Sequence, residues 1–285
     1  MANIRTIHRR IRGVKSTAKI TRAMEMIAAS RMRRAQERGL AGRPYADKIQ
    51  QVIADLATLT GTERAPHPLL QRRPINKIAL VHITPDRGLC GGLISSLNRT
   101  IASYILEQKA PVSVIAVGKK GLDFVRRCDT EVVAEFTHLG DRPSLMDTLP
   151  ISQIVIEDYS KGTFDLVCLV YARFVSTMVQ HPCVQRLLPV EPASIPAVQN
   201  VEYIYEPGPG VVLGNLLPRF VEMEVYHAIL ESIASEQSAR MVAMKNATDN
   251  ASELIDELTL LYNKARQEAI TKELLDIAGG VEALA

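Results

Sequence analysis

Apolar positions at the start of the chain recur with a heptad-like spacing. Between residues 3 and 60 the single proline is Pro44, and apolar or small residues fall at Ile4, Ile7, Ile11, Val14, Ala18 and Thr21, then at Ala28, Met32 and Ala35. Steps of three and four alternate, which predicts a long helix with a coiled-coil seam. Glu25 interrupts the seam, and Ile20, Met24 and Ile27 form a neighbouring stripe. Such a helix far exceeds the globular mean of about 11 to 12 residues. Gly39, Gly42 and Pro44 are expected to bend or loosen it. The end of the chain repeats the pattern at Met244, Ala247, Ala251, Leu254, Leu258, Leu261 and Ala265. A helix over residues 211–277 would be on the order of 100 Å long, at about 1.5 Å per residue. Pro218 is expected to mark a kink or the first turn. Because the two seams share one period, antiparallel winding of the two arms is the economical arrangement.

The texture between the arms is different. Residues 77–84, 112–117, 131–136 and 164–171 read as buried strands, and residues 91–108, 119–127 and 150–161 read as helices between them. Strands alternating with helices predict parallel βαβ units. Pro66, Pro68 and Pro74 punctuate the start of this region, and Pro207, Gly208, Pro209 and Gly210 its end. The expected architecture is therefore α/β. A Rossmann-like domain at residues 74–206 is inserted between an N-terminal coiled-coil helix (1–60) and a C-terminal one (210–285), which form a long antiparallel two-helix coiled coil.

Composition adds to this picture. Trp is absent and aromatic residues make up 5% of the chain, whereas 47% is hydrophobic; that balance suits helix seams better than an aromatic binding pocket. The net charge of +3 conceals an asymmetry. Up to Arg43 there are twelve basic and two acidic residues, a net of +10; from Glu222 onward there are five basic and twelve acidic, a net of −7. Opposite charge at the two ends suits helices packed on each other or facing different partners. Cys90, Cys128, Cys168 and Cys183 show no CxxC spacing and are expected to be reduced and buried. No apolar run approaches the ~20 residues of a membrane span, and the basic N-terminus lacks a signal-peptide core.

Candidate chemistry is sparse. Asp86 to Gly92, DRGLCGG, lies between a strand and a helix, where backbone N–H groups can hold a phosphate. Its spacing is neither GxGxxG nor GxxxxGK[ST], and Gly118 and Lys119 follow the second strand where a ribose-binding carboxylate would stand. Gly88, Gly91 and Gly92 are therefore expected to serve a tight turn packed on neighbouring backbone. His8, His67, His82, His138, His181 and His227 are scattered, with no HExxH and no GxSxG elbow, so no catalytic, metal or cofactor site is expected. The bases of the first helix lie all round it and share it with a seam, which disfavours nucleic acid and favours acidic protein surfaces.

Residues 9–36, RRIRGVKSTAKITRAMEMIAASRMRRAQ, closely resemble the N-terminal helix of F-type ATP synthase gamma subunits. Residues 86–93, DRGLCGGL, resemble that family's internal motif, with Ile94 where the family usually has Asn. Residues 234–250, ASEQSARMVAMKNATDN, and 262–273, YNKARQEAITKE, resemble its C-terminal helix, with Val281 replacing the usual Ala after Gly280. The resemblance spans essentially the whole chain. It implies the central rotating shaft of the F1 sector of a proton-translocating ATP synthase, with no catalysis of its own and no cofactor. Its partners would be the alpha, beta, delta and epsilon subunits and the membrane c-ring, without nucleic acid or direct membrane insertion. By motif, Arg22, Met24 and Arg31 would face the moving lever of beta, and Arg266, Gln267 and Thr271 its catch loop. The family's chloroplast branch carries a dithiol insertion before the last helix. Here residues 196–206 lead straight into it, so thiol regulation is not expected. A start at Met1 directly ahead of the helix suggests a bacterial protein, peripheral on the cytoplasmic face of the plasma membrane. The alternatives are a non-rotary coiled-coil adaptor carrying an α/β domain, and a Rossmann-type nucleotide enzyme.

Overall fold

The structure, a computed structural model, describes residues 4–60, 67–191 and 205–282. In chain order the elements are α1 (Ile4–Thr60), β1 (Ile78–Ile83), α2 (Leu93–Glu107), β2 (Val112–Val117), α3 (Lys119–Arg127), β3 (Glu131–Phe136), α4 (Leu145–Ser160), β4 (Leu166–Phe174), β5 (Gln180–Leu188) and α5 (Pro209–Glu282). They group into two compact units, Met1–Ala28 with Arg240–Ala285, and Ala29–Ala239.

In the first unit α1 and α5 run antiparallel. His8 stacks on Tyr262 with ring centroids 5.6 Å apart, and Thr21 Oγ1 lies 2.7 Å from Thr248 Oγ1. Thirteen residues of α1 and fourteen of α5 separate the two contacts, so one helix climbs as the other descends. On α1 the expected seam is the buried stripe: Ile7, Ile11, Thr21 and Ala28 are buried and Ile4, Val14 and Ala18 half-buried. On α5 the seam keeps its period but follows a neighbouring row. Met244, Ala251 and Leu258 are buried and Ala265 half-buried, yet the positions between them are Thr248, Ile255 and Tyr262. Leu254 and Leu261, expected in the seam, are 42% and 46% exposed. Apolar residues occupy both rows, so periodicity could not choose between them. The Thr21 and His8 contacts select the row that carries polar partners.

The second unit is built on a five-stranded sheet ordered β3-β2-β1-β4-β5, parallel except for β5. All six residues of β1 are buried, as a strand covered on both faces requires. The main core joins Val81, Ile115 and Leu169 of the sheet to Ile151, Val155 and Tyr159 of α4, to Ile53 and Leu56 of α1, and to Leu217, Val221 and Val225 of α5. β2, β3 and α3 have the expected bounds. β5 is not legible in the sequence: QHPCVQRLL is polar and contains Pro182, which a sheet tolerates at its edge. α4 begins five residues before the expected Pro150. Its start is a capping arrangement in which Asp147 Oδ2 accepts from the Ser144 amide at 2.7 Å and hydroxyl at 2.8 Å. Pro218 is not in a first turn, since α5 starts at Pro209 and is helical through it. Residues 196–204, before this helix, lie outside the described residues.

Cys90 and Cys168 are buried and Cys183 partly so, but Cys128 is exposed. It caps the end of α3, where its amide donates to the Phe124 and Val125 carbonyls and its side chain faces solvent. His82 is fully buried on β1, with Nε2 3.1 Å from Asn98 Oδ1 of α2, and burial lowers its pKa from 6.5 to about 4. The unfolded chain therefore takes up a proton at higher pH than the folded one does. Stability is expected to be full above about pH 6.5 and to fall by about 3 kcal/mol between there and pH 4. Denaturant titrations of wild type and His82→Gln across this range check it. The two pH profiles should separate, and parallel profiles would exclude His82 as the cause.

Candidate partner-binding surface

The Gly-rich turn is held by Asp86. Its Oδ1 accepts from the Lys119 amide at 2.9 Å and its Oδ2 from the His138 amide at 3.0 Å, which ties the carboxyl ends of β1, β2 and β3 together. Gly91 has φ +57 and Gly92 precedes α2, so a turn is what this segment forms. The expected packing on neighbouring backbone is not found there, because a Cβ on Gly88 or Gly91 would meet nothing within 4 Å. Close approach occurs instead at Gly118 and Gly121. A Cβ on Gly121 would stand 2.6 Å from His82 Cδ2 and 2.7 Å from Thr84 Oγ1.

In a sheet of this order, dinucleotides bind at the carboxyl edge where the strand order reverses, here between β1 and β4. That edge is covered by α5. Ser235 Oγ donates to the Ala172 carbonyl at the end of β4 at 2.8 Å, and Ser238 Oγ donates to the Thr177 carbonyl at 2.7 Å. Ala239 packs with Cys90, Leu93 and Ala172. The space left beside Thr84, Asp86 and Gly118 is about 50 Å³, closed on the other side by Ile229, Ser232 and Ile233 of α5. It has room for a water or two, since a ligand pocket needs about 300 Å³ or more. Millimolar ATP or NAD is accordingly expected to leave the melting temperature of the isolated chain unchanged. A rise of several degrees would show that α5 yields the crevice. Among the described residues no group of three or more His, Cys, Asp or Glu could hold a metal ion.

The residues expected to meet partners lie on the two long helices. Arg22 is exposed and Met24 half-buried on α1; two positions apart, they project to opposite sides of the helix. Arg31, in the second unit, pairs with Asp141 at 2.6 Å with both side chains partly exposed. Nothing in the sequence marked Asp141 as its partner, because the pair spans more than a hundred residues. Arg266, Gln267 and Thr271 are exposed on α5, with Gln267 and Thr271 one turn apart on a single face. From Arg266 to Ala278 every α5 residue is exposed. This stretch includes Ile270 at 49%, Leu274 at 61%, Leu275 at 66% and Ile277 at 60%. Sequence reading passed over these four as a site, although their spacing continues the helix's apolar pattern beyond the stretch that α1 covers.

A family model described as ATP synthase matches residues 3–284. The chain is 64% identical over 285 residues to the ATP synthase gamma chain of Dehalococcoides mccartyi (strain CBDB1), with both chains fully covered. It is 52% identical over 290 residues to the ATP synthase gamma chain of Roseiflexus sp. (strain RS-1), covering all of this chain and 99% of that one. Among solved structures, a chain of the Tetrahymena thermophila mitochondrial ATP synthase central stalk and c-ring matches with a TM-score of 0.63 and 25% identity, over 80% of this chain and 99% of that one. A chain of the Euglena gracilis mitochondrial ATP synthase in rotational state 3 shares the fold, with a TM-score of 0.67 and 21% identity over 99% and 94%. With a paired-helix unit, a sheet whose ligand crevice is covered by its own last helix, and full-length identity to these relatives, the chain belongs to the ATP synthase gamma chain family.

Proposed function

We propose that the chain is the non-catalytic rotor shaft of the F1 sector of a proton-translocating ATP synthase. Its paired-helix unit stands inside a ring of three alternating alpha and beta subunits, and its α/β unit rests on epsilon and the c-ring. Ring rotation turns the shaft. One asymmetric shaft cannot meet three equivalent beta subunits identically, so their sites are held in different states and cycle as it turns. Met24 and Arg31 on one side of α1, and Arg22 on the other, pass the beta lever as the shaft turns; Arg266, Gln267 and Thr271 pass the catch loop. The delta subunit completes the assembly's peripheral part. No described helix is long and apolar enough to cross a membrane, which suits a peripheral place on the cytoplasmic face of a bacterial plasma membrane.

The observation that carries this reading is the uncovered end of α5. Four large apolar side chains at 49 to 66% exposure would each gain about 1 to 2 kcal/mol from a partner that removes them from water. A helix end sheathed by a ring provides that. The contacts along the shaft must be individually weak, and Arg31 fits: an exposed pair such as Arg31–Asp141 is worth about 0 to 1 kcal/mol, so a passing carboxylate can displace it. Reconstitution with alpha and beta subunits tests the proposal. The expected result is an ATPase-active complex containing this chain. An adaptor would not co-purify with alpha and beta, and a Rossmann enzyme would bind nucleotide alone.

A further inference from the structure

Within the first unit, α5 carries two seams that could face α1. Met244, Ala251, Leu258 and Ala265 belong to both; Thr248, Ile255 and Tyr262 complete one, and Ala247, Leu254 and Leu261 the other. Passing between them rolls α5 by about 50° on its own axis, half of the roughly 100° between successive residues. The seam in use is the more polar. Leu254 and Leu261 stay 42% and 46% exposed, while Ile255 and Tyr262 are half-buried. Apolar burial by itself gives the observed seam no advantage over one that would cover two leucines.

Two contacts weigh on the other side. Thr21 is 8% exposed, and its hydroxyl oxygen lies 2.7 Å from that of Thr248, which donates to the Met244 carbonyl at 2.9 Å. With its hydrogen committed there, Thr248 accepts from Thr21. Rolling α5 would put Ala247 in place of Thr248 and leave Thr21 the Ala18 carbonyl of its own helix, at 3.1 Å. One turn from the start of α1, His8 meets the ring of Tyr262 with centroids 5.6 Å apart, and Arg12 donates to His8 Nδ1 at 3.1 Å. The roll would put Leu261 in place of that ring. A net hydrogen bond and a ring pair together shift such a balance about tenfold. The helix itself does not resist. An ideal α-helix drifts about 20° per heptad against a seam, so about 60° over the three heptads from Met244 to Ala265, which is as large as the roll.

We infer that α5 has two seats on α1 about 50° apart, and that Thr21 and His8 are positioning residues that hold it in the observed one. The roll turns the exposed end of α5 with it, so these two residues also set the direction in which Gln267 and Thr271 face. The inference concerns the helix pair alone and does not depend on the shaft reading. Cysteine cross-linking of the full chain tests it. Val14 and Ile255 lie level with each other, about midway between the two contacts, and Leu254 is the residue that a roll would bring to the place of Ile255. Val14→Cys is combined with Ile255→Cys or with Leu254→Cys, and the rate of disulfide formation is followed by peptide mass spectrometry. With His8 and Thr21 in place, the pair at 14 and 255 is expected to close about tenfold faster than the pair at 14 and 254. His8→Ala with Thr21→Val should bring the two rates within about threefold of each other. Adding Leu261→Ser, which strips the second seam of a leucine, should restore the preference for 255. Valine keeps the shape of Thr21, and His8 and Leu261 are exposed, so these variants are expected to fold. A rate ratio unchanged by His8→Ala with Thr21→Val would overturn the inference. So would a lowered ratio that Leu261→Ser fails to raise.

Discussion

Gly118→Ala is expected to destabilise the α/β unit by about 3 to 5 kcal/mol, a large part of the roughly 5 to 15 kcal/mol that a domain possesses. Two costs add. The residue has φ +95, a conformation that L side chains rarely adopt, and a Cβ there would land on the Thr84 carbonyl oxygen, which belongs to backbone and cannot turn away. The surroundings are tied on every side: the Thr84 amide donates to the Val117 carbonyl and the Gly118 amide to the Phe136 carbonyl, both at 2.8 Å. The Gly121 amide donates to Thr84 Oγ1 at 2.8 Å as well. Shifting Thr84 to admit a methyl group would therefore disturb β1, β2 and β3 together. Gly91→Ala is the comparison. With φ +57 and open space it should lose only about 1 kcal/mol, from backbone conformation alone, and Gly91→Val somewhat more. Urea titration of the full chains, followed by tyrosine near-ultraviolet circular dichroism, measures both. A loss at Gly118 no larger than that at Gly91 would show that Thr84 can move after all.

Met24→Lys is expected to impair proton-driven ATP synthesis about tenfold while leaving assembly near normal. Met24 is half-buried on α1, so the change costs little in the fold of the paired helices. What it adds is a cation on the side of α1 proposed to pass the beta lever. If that lever is acidic, the new lysine forms an ion pair in one rotary position and not in the others. Exposed pairs are worth about 0 to 1 kcal/mol and partly buried ones a few. A ground state deepened by about 1.4 kcal/mol slows the following step tenfold. Vesicles reconstituted with wild-type and variant complexes, compared for ATP hydrolysis and proton pumping, read the effect. Unchanged pumping per ATP in a fully assembled variant would mean that Met24 serves seam packing alone.

The candidate sites were legible to different degrees. Arg22, Met24, Arg31, Arg266, Gln267 and Thr271 could be chosen only through resemblance, because a solvated charge on a long helix has no local signature. Glycine clustering pointed to Gly88, Gly91 and Gly92, yet at the carboxyl edge of the sheet the glycines under steric constraint are Gly118 and Gly121, single residues whose neighbours lie about 35 positions earlier in the chain. The role of Asp86 was hidden for the same reason, since both amides that it binds belong to other strand ends.

Periodicity in the sequence determined by itself that the chain begins and ends in long helices with matching seams, and that parallel strands and helices alternate between them. These are local properties, written in the spacing of apolar side chains over windows of ten to twenty residues. Its motifs also determined the family. Tertiary structure alone decided which of two apolar rows on α5 faces α1, because both rows satisfy the period and only the Thr21–Thr248 and His8–Tyr262 contacts distinguish them. It alone added β5, whose polar sequence is tolerated as an edge strand only once β4 offers an open side to pair with. It likewise decided that α5 covers the carboxyl edge of the sheet, since the crevice and the helix that fills it are brought together by folding and not by proximity in the chain.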